Sequence, residues 1–135
     1  VRPITRWVRE GAREVTLEVA EAKRRELAAL IETSFGGADL LLSPTVPSVA
    51  PLIGAYDRAD DPGQAFREAA HLGSLTAAFN LTHGPAASLP MGLTSSGLPF
   101  GVQLGARTGQ DHLILSLSKQ LEEALPWHDR RPSGY

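Results

Sequence analysis

The chain has 135 residues, 42% of them hydrophobic and 21% charged, which is the balance of one globular domain and excludes a disordered chain. A formal net charge of -2, from 13 basic and 15 acidic residues, supplies no overall field that would draw it to nucleic acid or to an acidic membrane. With no cysteine there are neither disulfides nor thiolate metal sites, which fits a cytoplasmic protein.

In chain order, the opening stretch carries Arg2, Arg6, Arg9 and Arg13, which at helical spacing can share one face; that face reads as solvated, with phosphate binding as the alternative. Its first residues, Val1 to Ile4, lack the apolar core of a secretory signal. Gly11 separates a short helix over Pro3 to Glu10 from a longer one that starts near Thr16, a residue suited to capping. In the longer helix Val19, Ala22, Leu27, Leu30 and Ser34 recur at spacings that build one apolar face, with Glu21, Lys23, Arg24 and Arg25 toward water. Gly36 and Gly37 end it.

Leu40 to Leu42 then reads as a short strand buried on both faces of a sheet. Pro44, Pro47, Pro51 and Pro62 punctuate a long loop, and loops of that length inside compact domains tend to be functional or disordered. Asp61-Pro62 signals a helix that runs to about Phe79, with Gly73 as its weak point. Ala86 to Leu89 and Phe100 to Gly105 are two further short strands, separated by a turn-rich stretch over Gly92 to Pro99, and they can pair in one sheet. Asp111 is expected to cap a last helix with Leu113, Leu117, Leu121 and Ala124 on one face, ending before Pro126. Alternating helices and strands make the fold class α/β. No apolar run approaches the roughly 20 residues of a bilayer crossing.

Familiar catalytic patterns are missing from this sequence. There is no Gly-x-Ser-x-Gly, and Ser74 has Leu72 and Thr76 where such an elbow needs glycines. Asp39, His71 and Ser88 can be written as a triad, but only geometry can support one. His71, His83, His112 and His128 lack zinc-site spacing, and the neighbouring pairs Asp111-His112 and His128-Asp129 are expected to point apart. Gly101 to Gly105 fits a strand with close backbone approach better than a nucleotide loop.

Several segments, taken in order, resemble the last third of amidase signature enzymes. The helix over 15–35 followed by Asp39-Leu40-Leu41-Leu42-Ser43-Pro44-Thr45-Val46-Pro47 resembles that family's helix and its D-x-L-L-x-P-T-x-P segment. Phe79-Asn80-Leu81-Thr82-His83-Gly84-Pro85-Ala86-Ala87-Ser88-Leu89-Pro90-Met91-Gly92 is similar to F-N-x-T-G-x-P-A-x-S-x-P-x-G, and Gly97 to Gln103 to G-L-P-x-G-x-Q. Pro126-Trp127 and a tail with Arg131-Pro132 complete the series. One departure stands out: the family runs Thr, Gly, variable, Pro where this chain has Thr82, His83, Gly84, Pro85, so its glycine comes one residue late.

The resemblance implies a fragment of the amidase signature fold, with a mixed central sheet flanked by helices, residues 1–135 being the C-terminal segment of one catalytic domain. It implies a parent that hydrolyses carbon-nitrogen amide bonds of a small substrate with a Ser-Ser-Lys triad, needing no metal or organic cofactor. Neither the serine-rich segment nor the catalytic lysine is recognisable here, so this segment alone is expected to be inactive and no catalytic residue is assigned within it.

Thr45, Val46, Pro47 and Tyr56, on the loop after a central strand, are candidates for a substrate wall. Asn80, Thr82 and Gln103 are candidates for supporting the site; alternatively they only satisfy neighbouring backbone. Trp127 reads as a core or interface anchor. An exposed sheet edge would favour a homo-oligomer or strand exchange between copies. The alternatives are a non-catalytic interaction domain and the amidase-like component of a tRNA-dependent amidotransferase. In the latter, the resemblance puts an acid that reads the substrate amine seven residues before the asparagine, where this chain has Gly73.

Overall fold

A computed structural model describes residues 1–58 and 60–130; Arg131 and Pro132 lie outside the described residues. Helix α1 (Pro3–Gly11) begins at a proline, runs through a turn of 3-10 helix over Ala12–Glu14, and is followed by α2 (Leu17–Ser34). Thr16 caps α2 as expected, its hydroxyl accepting from the Val19 N–H at 3.3 Å. Strand β1 (Leu40–Pro44), helices α3 (Pro62–Leu72) and α4 (Ala77–Thr82), strands β2 (Ala86–Leu93) and β3 (Pro99–Ala106), and helix α5 (Asp111–Ala124) complete the order.

The three strands form one sheet in the order β1-β3-β2. The fold class is α/β, as expected, and every strand pair among the described residues is antiparallel. β2 and β3 are joined by a hairpin turn in which Gly97 takes φ +80 and the Leu98 carbonyl accepts from the Thr94 N–H at 2.8 Å. β1 adds to the other side of β3, with Ser43 opposite Gln103 and Leu42 opposite Leu104. The outer edges of β1 and β2 carry no strand among the described residues.

Side chains alternate across a pleated strand, so this register sorts the sheet into two faces. Leu104, Ala106 and Leu89 fall on one face and form the core with Ile114 of α5, with Leu40, Ala87, Leu117, Leu121 and Trp127 packed around them. The other face carries Ser43, Ser88, Gln103, Gly101 and Gly105. There the Phe79 ring of α4 lies directly on Gly105, where a Cβ would fall inside the ring.

Five expectations are corrected by this packing. Leu40 to Leu42 is not buried on both faces: α5 covers β2 and β3 and leaves β1 at the edge, so Leu42 is 71% exposed. The apolar stripe of α2 is rotated from the expected one. Val19 and Leu30 are exposed, whereas Arg24, Leu27, Ala28 and Ile31 are partly buried, because the Arg24 guanidinium reaches α4 and donates to the Leu81 carbonyl at 2.8 Å. The helix expected through Phe79 breaks at Gly73 into α3 and α4. Asp111 is the first residue of α5 and makes no side-chain cap; Gln110 holds the cap position. His128 and Asp129, expected to point apart, sit in a turn with Nε2 and Oδ2 3.0 Å apart.

Arg107 anchors the end of α2 to the sheet. Its guanidinium lies 4.6 Å from the centre of the buried Phe35 ring and donates to the carbonyls of Ala38 at 2.9 Å and Gly36 at 3.1 Å. A cation at a helix C-terminus also meets the favourable end of the macrodipole.

Candidate functional site

The polar face of the sheet is a small hydrogen-bonded array. Gln103, only 5% exposed at the centre of β3, donates from Nε2 to the Leu75 carbonyl at 3.2 Å and to Ser43 Oγ at 3.4 Å. A buried amide needs such partners, and here they tie the α3–α4 junction to β1. At the end of the sheet Thr45 Oγ1 and Ser88 Oγ lie 2.6 Å apart, and the Thr45 N–H donates to the Gly101 carbonyl at 3.0 Å. Gly101 makes that pairing possible: a Cβ there would stand 3.0 Å from both hydroxyl oxygens.

Beyond Thr45 the chain leaves the sheet and walls a groove of about 410 Å³. Val46, Pro47, Val49 and Pro51 line one side, with Leu72 and Phe100 also contributing, and the lining has no charged side chain. Val46 and Pro47 thus occupy a wall, while the Thr45 side chain turns to Ser88. Tyr56 belongs to a separate hollow with Arg2, Ile4, Asp57 and Arg58.

Of the three supporting candidates, Gln103 is buried and Thr82 partly buried, while Asn80 is exposed on α4. The Thr82 hydroxyl donates to the Ala78 carbonyl at 3.1 Å and accepts from the Gly84 N–H at 3.2 Å, and the Thr82 carbonyl accepts from Thr108 Oγ1 at 3.0 Å. This residue therefore closes the turn into β2. His83 occupies the left-handed position of that turn, φ 58, and Gly84 lies so close to the Ala106 carbonyl that a Cβ would collide with it.

The Asp39, His71 and Ser88 triad is not assembled. Ser88 is level with Gln103 and Ser43 in the ladder, and Asp39, just before β1, lies four residues from Ser43, on the order of 13 Å for extended chain. The sequence contains two lysines. Each is exposed and ion-paired on its own helix, Lys23 with Glu26 at 2.8 Å and Lys119 with Glu123 at 3.5 Å. Sequence reading missed Ser43 and Ser88 as partners of the array. The alternation of Ser43, on β1, with Thr45, just past its end, was the available signal.

The family model described as Amidase matches residues 4–115. The chain belongs to the amidase signature family. It is 44% identical over 102 residues to a 6-aminohexanoate-cyclic-dimer hydrolase of Paenarthrobacter ureafaciens, a match covering 71% of this chain and 21% of that protein. It is 39% identical over 113 residues to a glutamyl-tRNA(Gln) amidotransferase subunit of Neisseria meningitidis, covering 84% of this chain and 22% of that one. A solved structure of a 6-aminohexanoate cyclic dimer hydrolase superposes with a TM-score of 0.84 at 34% identity, covering 98% of this chain and 30% of its own. The chain thus spans only about one fifth of the length of the curated relatives it matches.

Proposed function

We propose that residues 1–135 form the C-terminal segment of an amidase domain that hydrolyses a carbon-nitrogen amide bond of a small substrate, with a Ser-Ser-Lys triad held outside this segment. The observation that carries this reading is the superposition of nearly the whole segment on one part of an amide-hydrolysing relative. The segment's own chemistry agrees with it: both lysines are ion-paired on helix surfaces, and Ser88 has a hydroxyl partner and no assembled base. In this reading an upstream lysine takes the proton from the nucleophilic serine through a second serine, and backbone N–H groups stabilise the oxyanion. Val46 and Pro47 contribute a wall of the substrate site, and Gln103 and Thr82 hold the backbone beneath it. The parent works in the cytoplasm without metal or organic cofactor.

A general amidase is favoured over the amidotransferase component by Gly73. A Cβ at that position would meet the Ala70 carbonyl at 3.7 Å and Thr76 Oγ1 at 3.9 Å, ordinary contacts, so packing does not demand glycine where an acid would read the substrate amine. The edges of β1 and β2, which carry no strand among the described residues, would drive the isolated segment into oligomers or strand exchange; light scattering showing a dilute monomer would favour an independent interaction domain.

The test of function is hydrolysis of a panel of aliphatic and aromatic amides. The 135-residue segment should give only background, and a longer polypeptide that adds the upstream serine-rich part should turn over. Turnover by the segment alone that Ser74→Ala or Ser88→Ala abolishes would overturn the assignment of catalysis to residues outside it.

A further inference from the structure

We propose that the hydroxyl pair Thr45–Ser88 is a positioning latch for the groove wall, and that the groove receives an uncharged, apolar part of the amide substrate; this rests on the amidase reading above. Three observations converge on the pair. The 2.6 Å separation is short even for two hydroxyls, and it links the end of β1 to β2 across β3. Gly101 leaves the space in which the two oxygens meet. The Thr45 N–H to Gly101 carbonyl bond continues the β1–β3 ladder one residue past the end of β1, so Thr45 is the root from which the loop departs.

The segment beyond that root is stiff. Pro44, Pro47 and Pro51 each fix one backbone dihedral, so an error in direction at Thr45 is carried along Val46 to Pro51 and is not absorbed locally. Those residues form the groove wall, with Phe100 and Leu72 among the other lining groups. With no charge in the lining, a charged substrate group would lose its hydration there without a partner, whereas an aliphatic chain would gain from burial. Thr45 and Ser88 act through the wall and are positioning residues, not catalytic ones.

The experiment uses the longer polypeptide, with Thr45→Val, Ser88→Ala, their combination, Thr45→Ser, and Ser96→Ala as a control. Ser96 is suitable because it forms another exposed hydroxyl pair, with Thr94 at 2.9 Å in the hairpin turn, and neither residue is part of the groove lining. KM and kcat are measured on a neutral aliphatic amide. Hydrogen exchange is followed by mass spectrometry at the amides of Val46, Ser48, Val49 and Ala50.

Thr45→Val and Ser88→Ala should each speed exchange in this stretch and raise KM by about fivefold, the worth of one neutral hydrogen bond, with a smaller change in kcat. The double variant should do no more than either single one, Thr45→Ser should behave as wild type, and Ser96→Ala should change neither quantity. Unchanged exchange, multiplicative effects in the double variant, or failure of Thr45→Ser to preserve the wall would overturn the latch. A KM preference for a charged amide would overturn the assigned substrate class. If exchange follows the expected pattern while the longer polypeptide hydrolyses no amide, the amidase reading falls and the latch stands, so the two failures are distinguishable.

Discussion

On one face of the β1-β3-β2 sheet, Leu104, Leu89 and Ala106 meet Ile114 of α5; on the other, Gln103 bonds to Ser43 and the Leu75 carbonyl, and Thr45 pairs with Ser88 above Gly101. The same strands build both. The first face is held by volume, because closely packed apolar atoms leave no voids and exclude water. The second is held by the absence of volume at Gly101 and Gly105 and by direction, since a buried amide or hydroxyl is stable only where its partners stand. A face of the first kind tolerates many apolar combinations of suitable size, whereas a face of the second kind specifies one arrangement. That is the property a site wall requires.

Removing volume from the first face should have the largest effect. Leu104 is 1% exposed, so Leu104→Ala leaves a cavity and should destabilise the polypeptide by about 4 kcal/mol, read as a fall in the urea midpoint. Adding volume to the second face should cost slightly less. Gly105→Ala places a methyl group inside the Phe79 ring and forces α4 off the sheet, at about 3 kcal/mol. A paired Phe79→Leu change should recover part of that loss. If it recovers none, the close approach of α4 is not what fixes glycine at this position.

Gln103→Leu sharpens the comparison, since it converts the polar face toward the apolar one at nearly constant size. It should cost about 2 kcal/mol, mostly because the Leu75 carbonyl loses its partner. A stability equal to wild type would mean that water replaces the amide, and that the array does not join the α3–α4 junction to β1.

Much of the first face was legible in the sequence. Short apolar runs bounded by glycine and proline identify β1, β2 and β3, and the spacing of Leu113, Leu117 and Leu121 identifies α5. The corrections come from interactions at long sequence separation. Charge on a helix is usually solvated, but Leu81, 57 residues away, supplies a carbonyl for Arg24. The apolar run around Leu42 points to the core, but no local pattern reveals which strand stands at an edge, and Leu42 is exposed. The candidate site divided in the same way. Val46 and Pro47 are contiguous in sequence and at the groove, with the Thr45 side chain turned to Ser88 at its root, while Tyr56 lines another hollow and Asn80 is exposed on α4, placements that periodicity does not encode.

The smallest expected effect is at the turn into β2, where neighbouring residues make opposite demands. His83 has φ 58, a conformation that costs an L-residue with a Cβ about 1 to 2 kcal/mol relative to glycine. Glycine would also give the unfolded chain more freedom, returning roughly 0.4 to 1 kcal/mol of that advantage. His83→Gly should therefore stabilise by about 0.5 kcal/mol, a small rise in the urea midpoint. At the next residue the sign reverses: the backbone of Gly84 is pressed against the Ala106 carbonyl, so Gly84→Ala should destabilise although its φ is not left-handed. The late glycine in Thr82-His83-Gly84-Pro85 then has a physical account. Close approach fixes the glycine at 84, and the left-handed position at 83 is left to a residue that tolerates it with strain. If His83→Gly instead lowers the midpoint, the imidazole makes a contribution that outweighs its backbone strain, and the turn is held by the side chain and not by the conformation of the chain.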